Sequence, residues 1–527
     1  YTTLFRSISL GVRPGSILAV TFTNKAAKEM RERVEHMVQK VSLPKESTPF
    51  VSTFHSFCVY LLRKFGIHQR KVLRFTILDD ADTMSLIKES LMDMGLDPKM
   101  HDPRRIRGLI SRCANALQKP EDLASESNPT YRLTGRVWAL YEKKKRQQRA
   151  VDFDDLLIEC VTLLENDTEV RQWCQNTWHY IHIDEYQDTN EVQYRIAKAL
   201  AGERKNICVV GDADQSIYSW RGANIKNILD FERDYPEATT VLLEENYRST
   251  KKVLSAANEV IAKNTHRTPK NLFTSKEDGE HISLYGAYDE TDEARFIVER
   301  CIERLDRGVP ASDIAVLFRA NFQSRILEEA FLAHSIPYQV LGVRFFERKE
   351  IKDVLSYIRA ALIPENTLDI KRVINTPVRG IGKTTVTKLF TEGKAALSGK
   401  ALVSVTNFFD LLEKIRDYAQ THVPSELLKF VINESGLAAS FTDEPSGDER
   451  LENLKELVTL GLRYDHYEST VGIEKLIEEA TLASDQDGLD EHTKGVKLMT
   501  IHAAKGLEFN TVFITGLEHG LFPHERG

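Results

Sequence analysis

The sequence is poor in cysteine and has no long apolar run. Six cysteines are scattered among 527 residues without a CxxC pair, which argues against a zinc site or a disulfide framework and favours a reducing, cytoplasmic compartment. Runs of about 18 apolar residues are missing, so we expect no transmembrane helix. The first residues lack the basic flank and apolar stretch of a signal peptide. They begin with Tyr1 rather than Met, which predicts a start inside a longer gene product.

The composition is that of a globular protein, with 42% hydrophobic and 28% charged residues. At about 100–200 residues per domain, the length predicts about three or four domains. The net charge of the whole chain is −7, yet residues 97–149 contain 13 lysines and arginines and only six acidic residues. Such a basic block can bind phosphate, and it can equally be the solvated face of a helix.

Short apolar runs alternate with amphipathic stretches, which is the pattern of parallel α/β units. Seven runs are mostly β-branched and almost wholly apolar, as strands covered on both faces should be. These predicted strands are Ile17–Phe22, Tyr180–Ile183, Ile207–Val210, Thr240–Leu243, Ile314–Phe318, Val496–Thr500 and Thr511–Thr515. Several end in a polar cluster, and ligands of open α/β sheets bind at the carboxyl ends of the strands.

Two stretches, 77–149 and 348–493, lack such runs and are predicted to be mainly helical. The second ends in an acidic, glycine-containing segment, 484–493, that we interpret as a linker. We therefore predict an α/β fold with two parallel-sheet cores, each interrupted by a mainly helical insertion.

The strongest chemical signal is the segment Tyr180–Asp188, with the sequence YIHIDEYQD. Its predicted strand delivers Asp184 and Glu185 at the carboxyl end. A nucleoside triphosphatase needs one carboxylate to hold Mg²⁺ and another group to orient or deprotonate the attacking water. The pair could supply both, although acidic pairs at the start of a loop are common without a catalytic role.

The segment 209–222, VVGDADQSIYSWRG, also runs from a predicted strand into a polar loop. Gln215 could contact a γ-phosphate or its water. The close-set aromatic residues Tyr218 and Trp220, next to Arg221, suit stacking on unpaired bases. The alternative is that these aromatic side chains belong to a core.

A third segment, Glu245–Ser249 with the sequence ENYRS, offers two more groups for a nucleotide. Arg248 could act as an arginine finger across a domain boundary, and Tyr247 could stack on adenine.

In this order and spacing, the three segments resemble the superfamily 1 DNA helicases of the UvrD/Rep/PcrA type. The resemblance extends over nearly the whole chain, and two segments, STFHSFCVYLLRK and RFFERKEIKD, are most similar to the PcrA branch. Further matching segments are Ala19–Ala27, Ser52–Phe57, Asp152–Leu156, Arg319–Arg325, Arg344–Ile351 and Leu498–Phe509. The chain departs from the family at Tyr186, where Phe is common, and at Ala213 and Ser219, where Asp and Gly are common.

The resemblance implies a role for individual residues at the nucleotide. Asp184 would hold Mg²⁺ and Glu185 would be the catalytic base. Gln215 and Arg248 would sense and stabilise the γ-phosphate of ATP, and Tyr247 would lie on its base. Two residues of the last matching segment would face the nucleotide, namely Gly506 and Glu508.

The resemblance also implies a single-stranded DNA path. Its lining would be Phe22, Thr23, Asn24, Thr53, His55, Tyr218, Trp220, Arg221 and His502. Each residue could instead have a purely structural role. Phe22 could pack in the core, and His55 and His502 could be core residues whose hydrogen bonds are satisfied.

The fold implied is a pair of RecA-like domains with a nucleotide cleft between them. The first would span 1–76 and 150–247 around a helical insertion at 77–149. The second would span 248–347 and 494–527 around a helical insertion at 348–493. The implied activity is ATP-dependent 3′→5′ DNA unwinding in repair or replication, with ATP and Mg²⁺ as cofactors. Single-stranded DNA and single/double-strand junctions would be the partners, with no membrane; no protein partner is implied.

Two family motifs have no counterpart in the sequence. A phosphate-binding G-x-x-x-x-G-K-[ST] loop should precede Ala19–Ala27, and residues 1–16 contain none. A further arginine motif should follow Leu498–Phe509. The internal motifs survive, so we expect truncation rather than decay and an isolated chain without activity.

The segment Arg379–Thr385, RGIGKTT, is similar to the end of a phosphate-binding loop. We predict that it is not one, because Pro377 occupies the position of the first glycine. In the family a Gly-Ile-Gly turn lies here, and it could present helix amides to a DNA phosphate.

Two other functions stay open. The protein could be a DNA-binding remnant without ATPase activity, or the helicase part of a recombination helicase–nuclease. An RNA helicase is disfavoured, because the motif set resembles DNA translocases.

Overall fold

The computed structural model describes residues 2–39, 48–66, 75–264, 267, 270–341, 345–441, 447–482 and 495–523. The strands are β1 Ile17–Thr21, β2 Phe50–Thr53, β3 Thr76–Ile77, β4 Ala150–Val151, β5 Tyr180–Ile183, β6 Ile207–Val209, β7 Ile314–Phe318, β8 Tyr338–Val340, β9 Val496–Thr500 and β10 Thr511–Ile514. The predicted linker 484–493 lies outside the described residues.

Twenty-four α-helices are described. They are α1 Thr2–Ser9, α2 Asn24–Gln39, α3 Phe54–Phe65, α4 Asp80–Asp93, α5 Pro103–Asn115, α6 Pro120–Ala124, α7 Pro129–Gln147, α8 Phe153–Asn166, α9 Thr168–Thr177, α10 Glu191–Ala201, α11 Lys226–Leu229, α12 Phe231–Asp234, α13 Lys251–Ile261, α14 Glu290–Asp306, α15 Ser324–Ala333, α16 Lys349–Leu362, α17 Thr367–Val373, α18 Lys383–Glu392, α19 Gly399–Thr421, α20 Pro424–Glu434, α21 Leu437–Phe441, α22 Gly447–Gly461, α23 Ser469–Leu482 and α24 Ile501–Ala504. Among the residues described, no helix is both long and apolar enough to cross a membrane.

The first sheet is parallel, with the strand order β2-β1-β5-β6. Every residue of β1 is buried, as its apolar sequence predicts for a strand covered on both faces. Helices α3, α8 and α10 pack on the sheet through a core that includes Phe57, Leu62, Leu156 and Ile196. The order places the carboxyl ends of β1 and β5 side by side, which is the edge where ligands bind.

The second sheet is also parallel, with the strand order β10-β7-β9-β8. Its core joins β7 and β9 to α14 and α15, and Val316, Phe331 and Leu498 are fully buried there. Six of the seven predicted strands are confirmed. The short strands β2 and β8 were not predicted, because each mixes polar with apolar residues.

The predicted strand Thr240–Leu243 is wrong. These residues form no strand, and Val241 and Leu243 are 72% and 78% exposed. The reason is that an apolar run becomes a strand only where a neighbouring strand accepts its hydrogen bonds. The nearest pairing is a single bridge between Glu245 and Phe273.

Two groups of helices stand apart from the sheets. The first helical segment, α4–α7, lies between β3 and β4, which pair with each other, and has its own core around Leu86, Ile110 and Tyr141. The second helical segment, α16–α23, has a larger core that includes Ile358 and Phe408. These features confirm the predicted fold class of two RecA-like parallel-sheet domains with helical insertions; the exact domain boundaries stay predictions.

Candidate functional site

Two carboxylates meet at the carboxyl end of β5. The backbone N–H of Asp184 donates to the Val20 carbonyl at 3.0 Å, so the turn after β5 is attached to β1. The N–H of Glu185 donates to Asp184 Oδ1 at 3.0 Å. Glu185 has a left-handed backbone, with φ of 51°, a conformation that costs a non-glycine residue on the order of 1–3 kcal/mol. Such strain is concentrated at functional sites.

Side-chain amides connect this turn to the loop after β6. Gln187 is fully buried; its Nε2 donates to Glu185 Oε2 at 2.6 Å, and its Oε1 accepts the N–H of Asp212 at 2.9 Å. Gln215 Nε2 donates to Asp212 Oδ2 at 2.8 Å. A Cβ at Gly211 would lie 2.4 Å from Gln187 Oε1, so a side chain at this position would displace the Gln187 amide. The structure therefore brings three predicted residues, Asp184, Glu185 and Gln215, into one network.

Lys505 completes the network, and the sequence analysis missed it. It directly follows α24, the short helix after strand β9 of the second sheet. Its Nζ lies 3.4 Å from Glu185 Oε2 and donates to the Gln215 carbonyl at 2.8 Å. It also bonds Asp188, a carboxyl whose pKa burial raises to about 6 in spite of this lysine. The only available signal was one lysine inside a matching family segment, because its partners lie about 300 residues away.

The donor set suits a magnesium ion shared with phosphate. Within the described part of the chain, no group of three or more His, Cys, Asp or Glu side chains could hold a metal by itself. Mg²⁺ in nucleotide sites takes one or two carboxylates and fills its other positions with water and phosphate oxygens. Asp184 fits that role, and burial followed by the charge of Glu185 raises the pKa of its carboxyl.

The predicted base-stacking residues form one aromatic cluster. Tyr218 donates its hydroxyl hydrogen to the His502 carbonyl at 3.2 Å. The rings of Trp220 and His502 meet edge to face with centroids 5.8 Å apart, and the Arg221 guanidinium lies 4.6 Å from the Trp220 ring centre. Trp220 stays 44% exposed. Burial, Arg319 and Arg221 lower the pKa of His502. The cluster therefore places uncharged aromatic rings beside the Arg221 cation.

Phe22 directly follows β1, and His55 is the second residue of α3, which follows β2; both are partly buried. The His55 ring packs edge to face on Phe153 at 5.8 Å, and burial together with Arg221 lowers its pKa to about 4. Phe22 packs edge to face on Phe54 at 5.7 Å. Both therefore have packing contacts.

Three predicted DNA-binding residues use their polar atoms in hydrogen bonds within the protein. Thr23 Oγ1 accepts the Ala26 N–H at 3.1 Å. Asn24 Nδ2 donates to the Leu482 carbonyl, at the end of α23, at 3.2 Å. Thr53 is buried and caps α3 by accepting a backbone N–H at 3.2 Å.

The predicted arginine finger lies apart from the carboxylates. Arg248 pairs with Glu508 at 2.5 Å, and no hydrogen bond or ion pair among the described residues joins it to Asp184, Glu185 or Gln215. Tyr247 is 72% exposed and donates to Glu245 at 2.7 Å. Gly506 has φ of 84° and open space around its Cα.

The segment Arg379–Thr385 follows helix α17 rather than a strand and leads into α18. Arg379 is held by the Ser435 carbonyl at 2.7 Å, and Gly380 has φ of 73°.

Comparison with known proteins gives consistent matches at both ends of the chain. Residues 3–236 match the UvrD/REP helicase N-terminal domain, and residues 241–527 match the UvrD-like helicase C-terminal domain. The chain is 41% identical over 539 residues to the ATP-dependent DNA helicase PcrA of Staphylococcus epidermidis (RP62A) and 40% identical over 542 residues to that of Staphylococcus aureus (Mu50). Each match covers 98% of this chain and 73% of the relative.

Proposed function

The chain belongs to the UvrD/REP helicase family, and we propose that it works as an ATP-dependent DNA helicase that moves 3′→5′ along single-stranded DNA. The observation that carries this proposal is the network at Glu185. Residues from the carboxyl ends of both sheets converge there, and Lys505 joins the two. The function belongs in the cytoplasm, in DNA repair or replication.

Five side chains of the network have a task in phosphoryl transfer. Glu185 accepts the proton of the attacking water, and Gln187 fixes the direction of its carboxylate. Gln215 would face the γ-phosphate, with Asp212 orienting its amide. Asp184 would hold Mg²⁺, which when bound neutralises charge on the phosphate oxygens.

Movement along DNA requires that the nucleotide network changes the grip on bases. Gln215 and Trp220 lie in one loop, and Lys505 and His502 lie in one turn. A shift of Lys505 relative to Gln215 therefore changes the contact between the Trp220 and His502 rings. Base stacking of about 1–3 kcal/mol per base suits a grip that forms and releases in each cycle. Arg248 would swing to the γ-phosphate as the cleft closes.

The test is Glu185→Gln in the full-length product of the gene. We expect loss of DNA-stimulated ATP hydrolysis by about 100-fold or more, because the water loses its general base, while ATP still binds. Glu203→Gln, an exposed carboxylate at the opposite end of the same sheet, is the matched control. Retained turnover in the Glu185 variant would remove that residue from its role. Unwinding that prefers 5′-tailed duplexes would overturn the polarity.

A further inference from the structure

A buried chain of side-chain hydrogen bonds leads from the first helical segment towards Glu185. Asn115 is the last residue of α5, and Asn190 caps the start of α10; each is 8% exposed. Asn190 Nδ2 donates to Asn115 Oδ1 at 2.8 Å. Asn115 Nδ2 donates in turn to Asp154 Oδ1 at 2.7 Å. Asn115 thus bridges the helical segment and two helices of the first sheet domain.

The same chain continues into both nucleotide loops. Asn227, which follows the loop of Gln215, donates from Nδ2 to Thr189 at 3.0 Å and to the Asn190 carbonyl at 3.3 Å. Thr189 donates its hydroxyl hydrogen to the Tyr186 carbonyl at 2.7 Å. The turn that holds Glu185 and the helix that follows the loop of Gln215 are therefore linked to Asn115 through Asn190.

These bonds occupy both donors of the Asn115 amide and one of the two acceptor positions of its oxygen. The Nδ2 also donates to the Ser111 carbonyl at 2.9 Å. Buried polar groups that lose their partners are costly. The end of α5 therefore cannot move away from the turn at Glu185 unless the turn follows or buried amides go unpaired.

Helix α5 also carries exposed positive charge. Arg104, Arg105 and Arg112 are exposed on it, within the basic block identified in the sequence. A DNA backbone bound to these arginines would contact the same helix that ends in Asn115.

We propose that Asn115 is a positioning residue, which transmits DNA binding at the first helical segment to the turn that holds Glu185. This inference rests on the proposed function, since it assumes that the chain binds DNA. It adds a residue outside the sheets to the network that sets the geometry of hydrolysis.

The experiment is hydrogen exchange of residues 184–190 in the full chain, with and without a 3′-tailed DNA duplex. In the wild type we expect DNA to slow exchange of the Tyr186 and Asp188 amides, which bond to the carbonyls of Val210 and Glu185. In Asn115→Ala we expect DNA affinity to stay within about twofold, while the slowing falls by roughly fivefold. That change corresponds to about 1 kcal/mol, the worth of the one lost bond that joins Asn115 to Asn190.

Gln118→Ala, an exposed amide three residues further on, is the control and should behave as the wild type. Asn115→Asp places a second carboxylate beside that of Asp154, and we expect this variant also to lose the slowing of exchange by DNA. The exchange N115D/D154N restores a donor–acceptor pair between the two positions and should recover it, even if Asn115→Ala folds poorly.

The experiment distinguishes failure of the proposed function from failure of the role proposed for Asn115. If the wild type binds no DNA, the proposed function fails and the inference fails with it. If the wild type binds DNA and Asn115→Ala or Asn115→Asp shows the wild-type slowing, the coupling role of Asn115 is overturned while the proposed function stands.

Discussion

His55 is a histidine that the fold keeps uncharged. Burial, and then the nearby Arg221, lower its pKa from 6.5 to about 4. Between these pH values the unfolded chain binds a proton that the folded chain does not, so the free energy of unfolding decreases as the pH falls from about 6.5 to about 4. The stability that the uncharged His55 allows is fully present above about pH 6.5 and is lost below about pH 4.

Comparison with His55→Asn isolates this effect from the other titrating groups. We expect the difference in unfolding free energy between wild type and variant to shrink by on the order of 2 kcal/mol as the pH is lowered from about 6.5 to about 4. Urea unfolding at several pH values measures it. A difference that does not depend on pH would mean that His55 is protonated equally in both states.

At the scale of elements, the junction of α7 and α8 depends on one buried lysine. Lys145 is 2% exposed, and its Nζ lies 3.0 Å from Asp152 Oδ2 and 2.6 Å from Asp155 Oδ2. Tyr141 donates to the same Asp152 oxygen at 2.7 Å. The lysine therefore compensates the buried carboxylate of Asp152 and the half-buried carboxylate of Asp155, and it attaches the first helical segment to the domain of the first sheet.

We expect Lys145→Met to lower the unfolding free energy by about 3–5 kcal/mol, because it leaves buried charges without a partner. Chemical denaturation measures the loss, and lowering the pH should recover part of it as the carboxyls gain protons. Lys143→Met, an exposed lysine on the same helix, should change stability by no more than about 0.5 kcal/mol. Equal stability of the two variants would contradict this account of the junction.

At the scale of the whole molecule, the two helical segments touch each other through charged groups. Lys352 of α16 pairs with Asp79, which caps α4, at 2.6 Å. Lys371 of α17 pairs with Glu89 of α4 at 3.1 Å. Because like charges in place of these pairs repel, the relative position of the segments depends on the sign of a few side chains.

Lys352→Glu places a carboxylate beside Asp79, and we expect the two helical segments to separate. Small-angle scattering should then give a larger radius of gyration at low salt, and added salt should reduce the change because it screens the repulsion. Lys388→Glu, an exposed position on α18, changes the net charge equally and serves as the control. Identical scattering of the two variants would mean that other contacts hold the segments together.

Much of the fold and part of the site were predictable from local patterns. Apolar β-branched runs predicted six strands, because a strand covered on both faces needs an unbroken apolar sequence. Parallel strands place their carboxyl ends at one edge, so the meeting of Asp184, Glu185 and Gln215 followed from their positions after strands. The run Thr240–Leu243 failed, since its partner strand is a matter of tertiary structure.

Local patterns in the sequence therefore indicated six of the strands, the family and the groups at the strand ends. The contacts between distant segments came from the three-dimensional packing. Lys505 reaches Glu185, Asn115 reaches Asn190, and Thr53 is used as a helix cap. The physical reason is range: periodicity and turn chemistry act within a few residues, whereas these contacts depend on how whole helices and sheets pack.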